Sequence, residues 1–190
     1  MVQVLAQSAP FARVLQEDAL KADFGAILAT LPEPRAILGN IPYYITSPLL
    51  EKVAEAAGII DRAVLMMQRE VADRIAAKPG DSARGSLSVF LQSRFRIEKL
   101  TDVPPQSFLP PPKVHSTVVF LRPSVAEGAT DELFRIVRAG FAQPRKTLVN
   151  NLAASLGRDV VLERLQSLTL SPTSRPHELT FDQWKAIAGP

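Results

Sequence analysis

The sequence contains no cysteine and only two histidines, His115 and His177, which lie far apart. Those absences exclude disulfides, thiolate metal sites and cysteine nucleophiles, and leave little from which to build a zinc site or a histidine-based triad. No apolar run approaches the ~18 residues that a membrane-spanning helix needs, and the opening MVQVLAQSAP lacks the basic start of a secretory signal. A soluble, cytoplasmic protein with neither a membrane nor a metal as partner is the expectation. Glycine is sparse as well: the nine glycines are scattered, and no two stand in the G-x-G spacing of a phosphate-cradling loop.

What is present is a chain able to fold. Its 190 residues are 46% hydrophobic, with mean hydropathy +0.08, enough apolar surface to offset ordering entropy and a length of one domain or one and a half small ones. Charge is unevenly spread. Residues 1–61 carry four basic against seven acidic side chains, whereas residues 62–122 carry ten against five. A cationic middle segment suits a polyanion, because clustered Lys and Arg gain affinity by releasing counterions from phosphates; a solvated basic face is the plainer alternative.

Residues 13–17 read as a short strand and residues 24–31 as helical. Residues 35–39 form a compact apolar run of the kind found in a strand buried on both faces. Thr46-Ser47-Pro48 then opens a helix to about residue 57, with a hydroxyl as N-cap and proline in the first turn. Residues 61–67 are the next buried strand, 69–77 a helix, 80–85 a polar loop, 86–94 a helix and 95–103 an extended run. Pro110, Pro111 and Pro112 forbid helix at 108–114, and 114–121 alternates as a final strand. Strands separated by helices indicate a mostly parallel, doubly wound α/β sheet. Beyond Pro123 the pattern becomes helical, near 131–141, 145–156, 160–167 and 181–188. Two domains are expected, an α/β part over 1–124 and a small helical part over 125–190.

Ligands of an open parallel sheet bind at the carboxyl ends of its strands. Asp18 follows the first strand and Asn40 the second, so both could border one crevice; equally, Asp18 could cap its own turn and Asn40 could be a turn residue. The tetrapeptide Asn40-Ile41-Pro42-Tyr43 says more. It supplies an amide oxygen, a backbone stiffened by proline and an aromatic face, which is what methylation of an exocyclic adenine amine requires. That amine's lone pair is delocalised into the ring. Acceptors that hold its two hydrogens, here the Asn40 side chain and the Ile41 carbonyl, favour a tetrahedral and more nucleophilic nitrogen. Tyr43 would stack on the base, a contact worth ~1–3 kcal/mol. Methyl transfer from a sulfonium is a direct displacement that needs orientation and electrostatics rather than His or Cys.

At these residues the sequence resembles the KsgA-type small-subunit ribosomal RNA adenine dimethyltransferases, which use S-adenosylmethionine. NIPY followed by YITSPLL looks like the catalytic motif. MMQREVADRI, GSLSV, FLPPPKVHSTVV, RKTLVNNL and RPHELTFDQW follow in the family's order, from Met66 to Trp184. The resemblance implies a Rossmann-like methyltransferase sheet with a C-terminal all-helical RNA-binding domain, dimethylation of adenine N6 in 16S rRNA, and a role in ribosome biogenesis. It implies S-adenosylmethionine as methyl donor and immature small ribosomal subunits as partner of a monomer. Residue by residue, Asp18 matches the acidic residue that binds the donor's adenine, and Asn40 the asparagine at the methyl-transfer site. Tyr43 matches the base-stacking aromatic, and Phe108 resembles a second aromatic closing over the target base, unless it is a loop anchor packed into the core. Gln68, Arg69, Arg74, Arg84, Lys113, Arg145 and Lys146 are candidates for RNA phosphates, each with a surface charge as the plainer reading.

Two departures matter. Members tend to have paired basic residues where this chain has Pro144-Arg145-Lys146. The larger one is that the family's first strand and Gly-rich loop, and its second strand with an acidic end, find no match, so the chain reads as an amino-terminal truncation with the first two strands of the sheet missing. Weak binding of S-adenosylmethionine is the expectation for the 190 residues alone. The related 23S rRNA adenine methyltransferases share the NIPY-type motif and are one alternative; a non-catalytic RNA-binding or ribosome-assembly module is the other.

Overall fold

A computed structural model describes residues 4 and 7–189. Four strands form one sheet in the order β1 (Ala36–Asn40), β2 (Arg62–Gln68), β4 (Ser116–Pro123), β3 (Phe95–Val103). The pair β1 and β2 is parallel, with α2 (Thr46–Glu55) as its crossover. Both pairings of β4 are antiparallel. Three of the four strands, β1, β2 and β3, therefore run in one direction, as the mostly parallel expectation has it, and β4 alone opposes them. The reason is local: a parallel return needs a crossover of a dozen or more residues, usually helical, and the proline-rich connection between β3 and β4 cannot be helix.

The central strand β2 alternates as a buried strand should, with Ala63, Leu65 and Met67 at 1% exposure or less. Strand β1 is different. It forms an edge of the sheet, and Leu38 is 77% exposed, so the expectation of burial on both faces fails. Its start is fixed by Asp61, whose carboxylate accepts from the Arg35 N–H at 2.7 Å while its own N–H donates to the Arg35 carbonyl. Residues 13–17, expected as a strand, are irregular. The helix α1 (Phe24–Ala29) is capped by the Asp23 carboxylate on Ala26 N–H.

Two helices cover the sheet beyond β2. In α3 (Arg69–Ala76) and α4 (Ser86–Gln92), buried Ala72, Ile75 and Leu91 join Leu50, Val53, Leu65, Val119 and Leu121 in one apolar cluster. The carboxyl end of α3 is tied off by side chains. Ser88 Oγ donates to the Arg74 carbonyl at 2.6 Å, Gln92 Nε2 to those of Ile75 and Ala77, and Arg84 Nη1 to the Ala77 carbonyl and Gln92 Oε1. A cation at that end also suits the helix dipole. On the flank, Lys99 reaches Asp73 at 2.6 Å and Arg69 lies between Asp73 and Asp102. The Thr117 hydroxyl donates to Asp102 at 2.6 Å and holds that carboxyl below its usual value, with Arg69 and Lys99 adding to the effect.

The remaining helices are α5 (Asp131–Gly140), α6 (Leu148–Leu156), α7 (Arg158–Ser167) and α8 (Phe181–Ala188). Thr130, Thr147 and Thr180 each cap the helix that follows. Because Thr147 is the cap, α6 starts later than expected and leaves Arg145 and Lys146 in the turn before it. Gly157, at φ +84°, turns the chain between α6 and α7, a conformation side chains rarely adopt. Trp184 is fully buried among Leu148, Leu152, Leu165 and Ile187, and stacks on Phe141. This second apolar cluster also takes in Val89 of α4. Phe90 meets Phe134 edge-on at 4.9 Å, with the Arg94 guanidinium over both rings. Among the described residues no helix is long and apolar enough to cross a membrane.

Packing against Trp184 leaves no room at Gly140, where a Cβ would collide with the indole. Gly140→Ala is expected to destabilise the chain by about 1–3 kcal/mol, read as a lower denaturant midpoint. Asp102 gives a pH test. A carboxyl depressed in the folded state adds stability that is present above its unfolded value and lost as pH falls through its folded one. Thr117→Val removes the main cause of the depression, so the Asp102 carboxyl resonance is expected to titrate at higher pH in that variant.

Candidate active site

The parallel pair β1 and β2 ends in a proline-stopped turn. Asn40 sits opposite Met66, and the Ile41 N–H donates to the Met66 carbonyl at 2.9 Å. Pro42 has no N–H, so the ladder can go no further. Ile41 is buried in the core at 2% exposure, which directs the exposed Asn40 and half-buried Tyr43 outward. The chain then winds into a short 3-10 turn, Tyr43–Ile45, closed by Ile45 N–H on the Pro42 carbonyl at 3.1 Å. Thr46, expected to cap α2, instead turns its hydroxyl back onto the carbonyls of Pro42 and Tyr43, at 3.3 and 3.1 Å. The helix begins after Ile45 with no side-chain cap.

Facing this turn is the proline-rich connection. A 3-10 turn at Pro105–Ser107 presents Phe108, whose N–H donates to the Pro105 carbonyl. Asn40, Ile41, Pro42, Tyr43, Phe108, Pro110 and Pro112 together line a cavity of about 270 Å³. Two aromatic residues and an asparagine are among those that line it. The Tyr43 hydroxyl lies 2.7 Å from Ser116 Oγ on β4. A larger cavity of about 590 Å³ is lined by Gln68, Arg69, Glu70, Asp73, Lys113 and His115, among others. Its charges largely satisfy one another, since Arg69 is shared by Asp73 and Asp102, and no Phe, Tyr or Trp lines it. The smaller cavity is the candidate site.

Of the residues singled out in the sequence, Asn40, Ile41, Pro42, Tyr43 and Phe108 come together. Asp18 does not join them. Its carboxylate accepts from the Leu20 N–H at 2.9 Å and its carbonyl from Lys21 and Ala22, so it organises its own turn and lines no part of the Asn40 cavity. Arg84 is a second correction. It is 4% exposed and spends its guanidinium on the end of α3, and desolvation pulls its pKa down to about 10. A residue so enclosed is not a phosphate contact on a surface. Arg74 is paired with Glu70 at 2.7 Å. Lys113, Arg145 and Lys146 are exposed and have no carboxylate at salt-bridge distance among the described residues. Ser116 and Thr46 were missed as parts of the site; both lie inside quoted motifs, but a serine or threonine in a motif carries no sign of which atom it will bond. Among the described residues no group of three His, Asp or Glu side chains is placed to hold a metal.

Comparison with known proteins bears on this geometry. The family described as ribosomal RNA adenine dimethylase matches residues 2–188. A ribosomal RNA small subunit methyltransferase A from Synechococcus sp. (strain JA-3-3Ab) is 41% identical over 164 residues, 83% of this chain and 59% of that protein. The protein of the same description from Lactobacillus delbrueckii subsp. bulgaricus is 38% identical over 183 residues, 93% of this chain and 62% of its own length. The chain thus spans about three fifths of the length of these relatives. Among solved structures, a dimethyladenosine transferase from Plasmodium falciparum superposes with a TM-score of 0.77 at 26% identity, covering 98% of this chain and 74% of that one. The 23S rRNA methyltransferase ErmE gives 0.67, also at 26% identity, over 98% and 75% of the two chains. The match that runs almost from end to end, and the relatives near two-fifths identity across most of it, place one conclusion beyond the site itself: the chain belongs to the ribosomal RNA adenine dimethylase family.

Proposed function

We propose that the chain carries the target-base pocket and the RNA-binding surface of an enzyme that dimethylates adenine N6 in small-subunit rRNA, with S-adenosylmethionine as donor and the immature small subunit as partner in the cytoplasm. The observation that carries this reading is the cavity in which Asn40, Ile41, Tyr43 and Phe108 meet. The names of the curated relatives favour the small subunit over the 23S alternative. In this reading residues 1–124 hold the base and residues 125–190 form a helical unit that adds RNA contacts, the whole acting as a monomer.

Asn40 and the Ile41 carbonyl accept the two hydrogens of the adenine amine, which frees the nitrogen lone pair from the ring. Tyr43 and Phe108 hold the extruded base by their faces, the way single-stranded bases are commonly bound. The donor supplies an electrophilic methyl group. The residues present do not make a donor site: Asp18 is committed to its own turn, and no two glycines have the spacing of a cradle. The reading therefore confines this chain's residues to binding, orienting and activating the base. Lys113 beside the larger cavity, and Arg145 and Lys146 before α6, are exposed cations suited to flanking phosphates.

Two experiments test this. Placed in a longer chain that supplies a donor site, Asn40→Ala is expected to abolish methyl transfer to immature small subunits while RNA affinity stays within about twofold, the mark of an interaction used only in the reaction; transfer that persists would remove Asn40 from its role. For the RNA surface, Lys113→Ala and Arg145→Ala are each expected to lower the slope of log affinity against log salt by about 1. Arg84→Ala should leave that slope unchanged and instead cost about 1–3 kcal/mol of stability, because it strands buried partners.

A further inference from the structure

The hydrogen bond between Tyr43 and Ser116 joins the motif turn to a strand that no part of the motif belongs to. Ser116 is fully buried at the start of β4. Its backbone is locked on both sides, opposite Gln68 of β2 and Val103 of β3. The position of its hydroxyl is therefore set by the sheet, not by a loop. The other end of the Tyr43 side chain is equally fixed, since the Thr46 hydroxyl accompanies the Tyr43 carbonyl and Ile45 N–H closes the turn. A tyrosine held at backbone and phenol can turn neither about χ1 nor out of the cavity without stranding a buried hydroxyl, which costs more than the bond itself contributes. Tyr43 and Phe108 both line the same cavity.

We propose that Ser116 is a positioning residue, which presets the Tyr43 ring as the platform on which the extruded adenine stacks. The inference rests on the base-pocket reading above. It has two consequences. The phenol serves as an anchor and takes no part in proton transfer, so Tyr43 acts through its face alone. And the orientation of the platform is inherited from the pairing of β4 with β2 and β3, so it exists before RNA arrives and no ordering entropy is spent on it at binding.

The experiment compares RNA carrying adenine at the methylation position with the same RNA abasic there, by the ratio of their affinities for the chain. Ser116→Ala is expected to reduce that ratio roughly 3- to 10-fold, the size of one neutral hydrogen bond, with the affinity for abasic RNA and the salt slope unchanged. Tyr43→Phe keeps the ring and removes only the anchor, and should reduce the ratio equally; the double variant should fall no further. Ser116→Thr, which retains the hydroxyl, should restore it. A merely structural role would lower both affinities together. Full discrimination in Ser116→Ala or in Tyr43→Phe, or effects that add in the double variant, would overturn the inference. Should Ser116→Ala fail to fold, Tyr43→Phe decides alone. If the unsubstituted chain shows no preference for adenine, the base-pocket reading falls and this inference with it, whereas a preference that survives the substitutions defeats this inference only.

Discussion

Everything at the cavity depends on where the ladder between β1 and β2 stops. The last rung is the Ile41 N–H on the Met66 carbonyl; the next residue, Pro42, has no N–H with which to make another. A chain that can no longer pair must leave the sheet, and it leaves at the carboxyl end of a parallel pair, where strand ends open on solvent. Ile41 is the pivot. Its side chain stays in the core while Asn40 before it is exposed and Tyr43, two residues on, is half-buried. The carboxamide and the ring are thus set relative to one another by a buried hydrophobic contact and one backbone hydrogen bond.

The polar side chains near this turn are spent on backbone groups more than on each other. Thr46 accompanies the carbonyls of Pro42 and Tyr43. Ser88, Gln92 and Arg84 close the open end of α3, and Asp61 fixes the start of β1. Each satisfies a donor or acceptor that the fold would otherwise leave without a partner. A rigid frame follows, and with it a cavity whose shape does not depend on the flexible ends of long side chains. The exposed lysines and arginine around it are in the opposite situation. They are long and free, suited to a partner whose charges are spaced by its own geometry.

Much of this was legible beforehand, and the limits have physical causes. The strand at Arg62–Gln68 and the helices after it follow from periodicity and breakers, and the aromatic, amide and proline of the tetrapeptide point to one site, where the structure does bring them together. The common direction of β1, β2 and β3 follows from the helices that separate them, whereas the reversal of β4 comes from the helix-free, proline-rich stretch before it. The burial of Arg84 could not be seen. An arginine in a polar loop carries no sign that it will fold back under a helix end, and its charge was read as surface charge. Asp18 shows the same limit from the other side: a carboxylate two residues before a free N–H satisfies the local turn first, and a long-range role has to compete with that.

An edge strand is an unusual support for a precise site, because edges fray and invite other strands. Leu38 is 77% exposed on this one. The cavity escapes the problem because its walls are not referred to β1 alone. Ile41 is held to β2, the Tyr43 phenol reaches across to Ser116 on β4, and Phe108 comes from the connection that leads into β4. The two central strands, buried and paired on both sides, are the reference for all three. Displacement of β1 at its outer face would move Leu38 and leave the Tyr43 ring where Ser116 holds it. That division, an edge strand bearing the motif and a central strand bearing its anchor, is how one short turn in a four-stranded sheet can keep an amide and two aromatic residues together.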